Sequence, residues 1–201
     1  MAHNESDSLY MNYIQLEHSI EKPKFVEEVL HIVKNNNIDI ILPSHDEVLY
    51  LLKNHPELEY LIPGNSKEIV NICRFKSRTY TKIKTSSTLS SRIPQYTTIN
   101  PGFLKPDRGQ GSRGSLNINQ DYLHCEYLPG KEYTIDCFSD SENKLLYASP
   151  RLRKTIINGI SETTSIVSSN ELKLIANQVN NLFKFKGPWF FQMKEDKNNK
   201  L

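Results

Sequence analysis

Apolar residues at Phe25, Val26, Val29, Leu30, Ile32 and Val33 recur at near-helical spacing and predict a helix over 25–34. Pro23 suits a first-turn position ahead of it, and the Asn35–Asn37 run ends it. Ile38–Leu42 is a short β-branched run of the kind found in a parallel strand buried on both faces, closed by Pro43. Ser44 or Asp46 is placed to cap a helix through Val48, Leu49, Leu51 and Leu52. A second apolar run, Tyr60–Ile62, stops at Pro63, and Ser66 with Ile69, Val70 and Ile72 predicts one more helix. This is α/β material with strand ends at Pro43 and Pro63.

The pattern changes near residue 85. Residues 85–101 are rich in Ser, Thr and Pro and read as a connector with little helical support. From Gly102 to about Val167 the chain is strand-like: 103–106, 124–128, 132–138 and 144–149 are separated by Gly, Pro, Asn and Ser. Within 132–138, Tyr133, Ile135 and Cys137 fall on one face and Thr134 and Asp136 on the other. A late helix over 171–183 carries Leu172, Ile175, Ala176, Val179 and Leu182 at helical spacing, and a strand over 189–193 precedes the polar tail KEDKNNKL. No internal repeat is present.

Composition narrows the class. A chain of 201 residues can bury a real core without disulfide or metal staples. Its 25 Lys+Arg against 23 Asp+Glu exclude a polybasic nucleic-acid binder and an acidic tail protein. Three cysteines with no C-x-x-C spacing argue against a disulfide framework or zinc knuckle. The N-terminus lacks a basic and an apolar signal region, and no apolar run approaches the ~18 residues of a membrane span. A soluble, cytoplasmic chain is expected, and its six histidines show no metal or catalytic spacing.

Candidate chemistry concentrates at Lys105-Pro-Asp-Arg-Gly-Gln-Gly-Ser-Arg-Gly114. Gly109, Gly111 and Gly114 allow backbone N–H groups to approach an anion, and Lys105, Arg108 and Arg113 add positive charge. By itself the loop also fits a solvated surface turn. The G-x-G-x-x-G match is weak, because the dinucleotide fingerprint needs a helix directly after it and Ser115–Asn119 alternates like a strand. Walker A and protein-kinase signatures are absent. What remains is a glycine flap between two strands, with a lysine on the strand before it.

Five segments, in order, carry a resemblance. Ile40–Glu47 resembles a strand ending in Pro-x-x-Asp-Glu, and Ile72–Arg78 a helix start with Lys76 at a phosphate-binding lysine. Phe103–Pro106 with the glycine flap resembles a second lysine and a phosphate-covering loop. Cys125–Asp136 resembles Gln-Glu-Tyr-x-x-Gly-x-Glu-Tyr-Thr-Val-Asp, and Gly187–Gln192 a Gly-Pro-x-Asn-x-Gln strand. Together they resemble the ATP-grasp superfamily, most closely its carbamoyl-phosphate synthetase large-subunit-like branch, over residues 38–194.

That resemblance implies an ATP-grasp fold: an α/β N-terminal remnant, then α+β. Residues 1–70 would form a partial, nucleotide-fold-like pre-ATP-grasp domain. Residues 71–128 would form the lid subdomain with the glycine flap, and 129–201 the C-terminal α+β subdomain. The implied activity is an ATP-dependent ligase that converts a carboxylate to an acyl phosphate for displacement by an amine or other nucleophile, with ATP and Mg²⁺ required. Lys76 and Lys105 would neutralise phosphates, and Gly109, Gly111, Ser112, Arg113 and Gly114 would cover them. Cys125, Glu126, Tyr127 and Leu128 would form the adenine hinge, and Glu132 would accept from the ribose hydroxyls. Arg151 and Arg153 would face the transferred phosphate or the substrate carboxylate, with Gly159 and Ser161 in the loop that follows. Gln192 would bind magnesium. A small-molecule carboxylate is the implied substrate, with neither nucleic acid nor membrane as partner.

Three departures shape the expectation. Residues 1–20 hold no strand and glycine loop of the usual opening type. Cys125 follows Gly114 by eleven positions, which leaves no room for the helix the superfamily places there. The Glu-x-Asn-Pro-Arg strand that would supply a metal carboxylate is not in the chain, and Glu195 and Asp196 lie too near Gln192, at an expected hairpin turn. A chain short at both ends is thus expected to act with a complementing chain, or to be a degenerate module that binds partners without catalysis. A third alternative is a plain α+β interaction domain. Unpaired sheet edges also predict self-association, including homo-oligomers.

Overall fold

The computed structural model describes residues 14–98, 102–108, 122–157 and 160–201. Contacts divide the chain into two compact units, Met1–Pro63 and Gly64–Leu201.

In the first unit, α1 (Phe25–Asn35) and α2 (Asp46–Lys53) follow the predicted spacing. They bury Phe25 and Leu52 with Leu58 and Ile62, joined by Val29, Val33 and Leu49. The cap of α2 differs from expectation. It is His45, whose backbone is extended and whose Nδ1 accepts from the Glu47 N–H at 3.2 Å, rather than Ser44 or Asp46.

Neither short apolar run forms a strand. Residues 38–44 carry no regular secondary structure, and Ile38, Ile40 and Leu42 are exposed. Ile41 alone packs on the core, its N–H donating to Leu61 O at 2.9 Å. A β-branched run favours a strand, but a buried parallel strand also needs hydrogen-bonded neighbours on both sides. None pairs with it among the described residues. Glu59–Leu61 is a single 3₁₀ turn instead. The buried Lys53 ammonium donates to Ile62 O at 2.6 Å and Glu59 O at 3.0 Å, claiming carbonyls that a ladder would need. Burial holds the Lys53 pKa below its usual value, and Glu59 partly offsets this.

In the second unit, α3 (Lys67–Cys73) is capped by Ser66, whose Oγ accepts from the Ile69 N–H. Helix α4 spans Lys76–Lys84, so Lys76 stands at its first turn. Strands β1 (Gly102–Pro106) and β2 (Tyr122–Glu126) pair antiparallel. Residues 95–97 of the connector run along the other side of β2: Thr97 N–H donates to His124 O, Glu126 N–H to Gln95 O, and Tyr96 bridges Cys125.

The larger sheet is antiparallel, in the order β5-β4-β3-β6, from β3 (Glu132–Ser139), β4 (Leu145–Ile157), β5 (Ile160–Ile166) and β6 (Gly187–Lys194). Strand β4 runs well past the expected 144–149, and Ser161 lies in β5 rather than in a loop. Helix α5 (Asn170–Phe183) packs Leu172, Ile175, Ala176, Val179 and Phe183 on Ile135, Cys137 and Trp189. Burying each of the fully enclosed Ile135, Leu172 and Ile175 contributes about 1.5–3 kcal/mol. Within this core Trp189 Nε1 donates to Ser139 Oγ, which donates to Asn180 Oδ1 at 2.7 Å, while Asn180 Nδ2 reaches Asn143 O at 2.7 Å. The chain thereby satisfies polar groups that would be costly to bury alone.

After β6, Glu195 extends the pairing with the start of β3, and Asp196 makes the turn that closes on Lys200. Gly130 fits here because a Cβ would stand 2.5 Å from Glu195 Cβ and 2.7 Å from its carbonyl oxygen. No helix among the described residues is long and apolar enough to cross a membrane.

Candidate nucleotide site

The pleat sends alternate residues to opposite faces. With Ile135 and Cys137 turned to α5, the other face carries Glu132, Thr134 and Asp136 from β3. Register places Gln192 opposite Thr134 and Lys194 opposite Glu132, with Arg151 opposite Thr134 on the other side. Six charged or amide side chains from three strands thus share one face: Glu132, Asp136, Arg151, Arg153, Gln192 and Lys194.

Their pairing is uneven. The Arg153 side chain is 4% exposed; its Nη1 donates to Glu132 Oε1 and its Nε to Ser161 Oγ at 2.6 Å. Arg151 donates from Nε to Asp136 Oδ2 at 2.5 Å, in a pair far more open to water. Of the two arginines, Arg151 is the one a ligand can reach, and Arg153 positions Glu132. Lys194 Nζ lies 3.9 Å from Glu132 Oε2 and 5.9 Å from the centroid of the Tyr127 ring.

The two candidate phosphate lysines come from different elements, and Lys76 reaches the end of the strand that carries Lys105. Lys76 Nζ donates to Pro106 O at 2.7 Å, and its backbone N–H donates to Asp107 O. Asp107 in turn accepts from Ser77 N–H at 2.7 Å and Ser77 Oγ at 2.9 Å. These bonds tie the start of α4 to the end of β1, the strand that carries Lys105. Burial holds the Lys76 pKa below its usual value, Asp107 opposes this, and the charges of Lys105 and Arg74 add to it. Lys105 is likewise held down, first by burial and also by Lys194, against the attraction of Cys125 and Glu132. Lys76 and Lys105 are thus partly dehydrated cations, the first beside Asp107 and the second attracted by Glu132, an arrangement able to hold an anion.

The hinge residues divide. Cys125 is fully buried, and burial pushes its thiol pKa up. Its backbone and that of Glu126 are engaged by β1 on one side and by residues 95–97 on the other. The Glu126 side chain accepts from Gln95 N–H at 2.9 Å. Only Tyr127 and Leu128, beyond the end of β2, offer backbone outside these pairings. Gly109, Gly111, Ser112, Arg113, Gly114 and Gly159 lie outside the described residues.

A magnesium site does not emerge from these side chains. Gln192 is a single neutral donor, while Glu132 and Asp136 are held by arginines. Among the described residues no group of three or more His, Cys, Asp or Glu is placed to hold a metal ion.

Sequence reasoning missed Lys194 and the Lys76–Pro106–Asp107 bracket. The first follows from counting register across β3 and β6; the second depends on a contact spanning some 30 positions, which no local pattern encodes.

The same architecture recurs in solved structures. The biotin carboxylase domain of the Hydrogenobacter thermophilus 2-oxoglutarate carboxylase, with MgADP, ADP and bicarbonate, is similar at a TM-score of 0.73 and 11% identity. It matches 94% of this chain and 52% of its own. The chain has an ATP-grasp fold. An L-amino acid ligase from Bacillus licheniformis matches with a TM-score of 0.62 and 14% identity, over 88% of this chain and 50% of that one. A putative ATP-grasp superfamily protein from Archaeoglobus fulgidus gives 0.56 and 16%, over 85% and 62%. This chain spans about half the length of the first two. The family described as ATP-grasp in the biosynthetic pathway with Ter operon matches residues 119–201 and supports placement in the ATP-grasp superfamily. No curated protein matches the sequence.

Proposed function

We propose that this chain is the nucleotide-binding part of an ATP-dependent ligase of the ATP-grasp type. The observation that carries this reading is the bond from Lys76 Nζ, at the start of α4, to Pro106 O, which ties one partly dehydrated lysine to the end of the strand that carries the other, Lys105. Phosphoryl transfer asks the protein mainly for positioning and charge neutralisation, and these lysines offer both. In the reaction a substrate carboxylate oxygen forms a bond to the γ-phosphorus of ATP as the bond to ADP breaks. An amine then attacks the acyl carbon, phosphate leaves, and the amine loses a proton. Lys76 and Lys105 hold the phosphates, Glu132, fixed by Arg153, faces the sugar, and Arg151 faces the carboxylate.

The order of the five motifs supports the finer placement beside the carbamoyl-phosphate synthetase large-subunit-like branch. The similar structures include an L-amino acid ligase and a biotin carboxylase domain with bicarbonate bound, and a small carboxylate is the substrate class proposed for this chain. Because the described carboxylates do not assemble a magnesium site, turnover is proposed to need groups beyond them, from further polypeptide or a complementing chain.

Calorimetric titration of ATP, with and without Mg²⁺, against wild type and Lys105→Ala tests the reading. Binding weakened at least tenfold by the substitution is expected, since a charge-assisted bond is worth about 1.5–3 kcal/mol. No binding to wild type would sink it. A degenerate module is the second reading, favoured by the arginine-locked carboxylates. It predicts ATP binding that is indifferent to Mg²⁺ and no hydrolysis with any candidate acid.

A further inference from the structure

The open face of the larger sheet changes character beyond the arginines. Register sets Phe190 of β6 opposite Asp136, and Tyr147 of β4 opposite Phe138. Residues directly opposite share a face, as do alternate residues of one strand. Phe138, Tyr147 and Phe190 therefore lie side by side on three adjacent strands, on the face that carries Asp136 and Arg151. They are 45%, 59% and 57% exposed, although aromatic rings are among the side chains that gain most from burial. The core of this unit lies on the other face, against α5, and these rings stand outside it.

The neighbouring ion pair is also open. Arg151 donates to Asp136 from Nε and, at 3.3 Å, from Nη2. That uses two of the guanidinium's five donors and leaves the carboxylate further acceptor sites. The two side chains are 32% and 45% exposed, so the pair adds little to stability and keeps bonding capacity of both signs toward a ligand. A carboxylate and an ammonium on one carbon match it, the first accepting from Arg151 and the second donating to Asp136. Asp136 and Phe138 stand about 6.8 Å apart along β3. A ring one carbon away from such a head group falls over Phe138, between Tyr147 and Phe190.

We propose that this face takes the acid substrate, and that the acid is an α-amino acid with an aromatic side chain. Its being the substrate rests on the nucleotide reading above; its binding does not. A simple carboxylate would leave Asp136 unused, and a small amino acid would leave the rings in water. The rings and the ion pair form one continuous surface, apolar with a few polar groups at one end, as small-molecule sites are.

The test titrates L-phenylalanine, 3-phenylpropionate and L-alanine into the full chain by ligand-observed NMR, and ATP by calorimetry, for wild type, Asp136→Asn and Phe190→Ala. Loss of the amine is expected to weaken binding about tenfold, the size of one charge-assisted bond. Loss of the ring should weaken it about tenfold or more, the size of one buried aromatic side chain. Asp136→Asn should cut the gap between phenylalanine and 3-phenylpropionate to about threefold. Phe190→Ala should weaken phenylalanine about threefold and leave alanine unchanged. Matched circular dichroism of the three proteins shows that fold is not the cause. Wild type that binds phenylalanine no tighter than 3-phenylpropionate, or no tighter than alanine, would overturn the inference. So would a chain that binds none of the acids and forms a concentration-dependent dimer weakened by Phe190→Ala, which would make the rings an interface between copies. ATP binding without phenylalanine binding would overturn this inference alone. Phenylalanine binding in the expected order without ATP binding would overturn the nucleotide reading and uphold the amino-acid site.

Discussion

Replacing Glu132 by alanine exposes how the site is held together. The Arg153 side chain is 4% exposed and that of Glu132 21%, so losing the carboxylate removes the charged acceptor of Nη1 from a guanidinium largely cut off from water. Breaking a buried ion pair at one partner costs about 3–5 kcal/mol. Arg153 keeps its bond to Ser161 Oγ and is not left without other interactions, and the partial exposure of Glu132 admits some water, so the low end of about 3 kcal/mol applies. Glu132→Gln leaves an amide oxygen to accept the bond and loses only its charge, about 1.5 kcal/mol. Urea unfolding followed by the fluorescence of Trp189, the single tryptophan, reads both variants. With a slope of about 2 kcal/mol per molar, the midpoint should fall by about 1.5 M for alanine and about half that for glutamine, at unchanged slope. A Glu132→Ala midpoint within about 0.3 M of wild type would refute the argument, because Arg153 would then be finding water as easily as the carboxylate.

Other consequences are directly measurable. Asn180→Ala should cost about 1–3 kcal/mol in the same urea assay, because it removes the acceptor of the buried Ser139 hydroxyl and the side-chain donor to Asn143 O. Gly130→Ala should also destabilise, since its Cβ would overlap Glu195, and the loss should shrink when Glu195 is replaced by alanine in a double-mutant cycle. Lys76 and Lys105 have folded-state pKa values below the usual 10.5 of an unfolded lysine. As pH rises from the lowered values toward 10.5, the folded state sheds these protons first, so their contribution to the stability of the ligand-free chain should increase. Over the same window affinity for ATP should fall, and Lys105→Ala should flatten both trends.

Local pattern revealed much of the second unit. Helix α5 and strands β3 and β6 were written in their periodicity, because each buries one face against a partner in the same chain. The first unit shows where that logic fails. Ile38–Leu42 has the composition of a buried strand, but composition cannot supply the neighbouring strands that make the ladder, and Lys53 diverts the carbonyls around Tyr60–Ile62. At the site, Lys76, Lys105, Glu132, Arg151 and Arg153 were legible as residue types within motifs. Their partnerships were not. That Arg153 is buried on Glu132 while Arg151 stays open is set by which residues flank them across β3 and β5, and Asp107 joins α4 to β1 over a long stretch of sequence. The resemblance to the ATP-grasp superfamily, carried by the order of five motifs, agrees with a fold shared with solved structures at identities of 11–16%.

The central claim is that Lys76 and Lys105 act on one polyphosphate. It is tested most directly by the ATP affinities of wild type, Lys76→Ala, Lys105→Ala and the double variant. The account predicts that each single substitution weakens binding at least tenfold and that the two effects are coupled, because both ammonium groups serve the same anion. Wild-type affinity unchanged by either substitution, or no ATP binding at all, would contradict it.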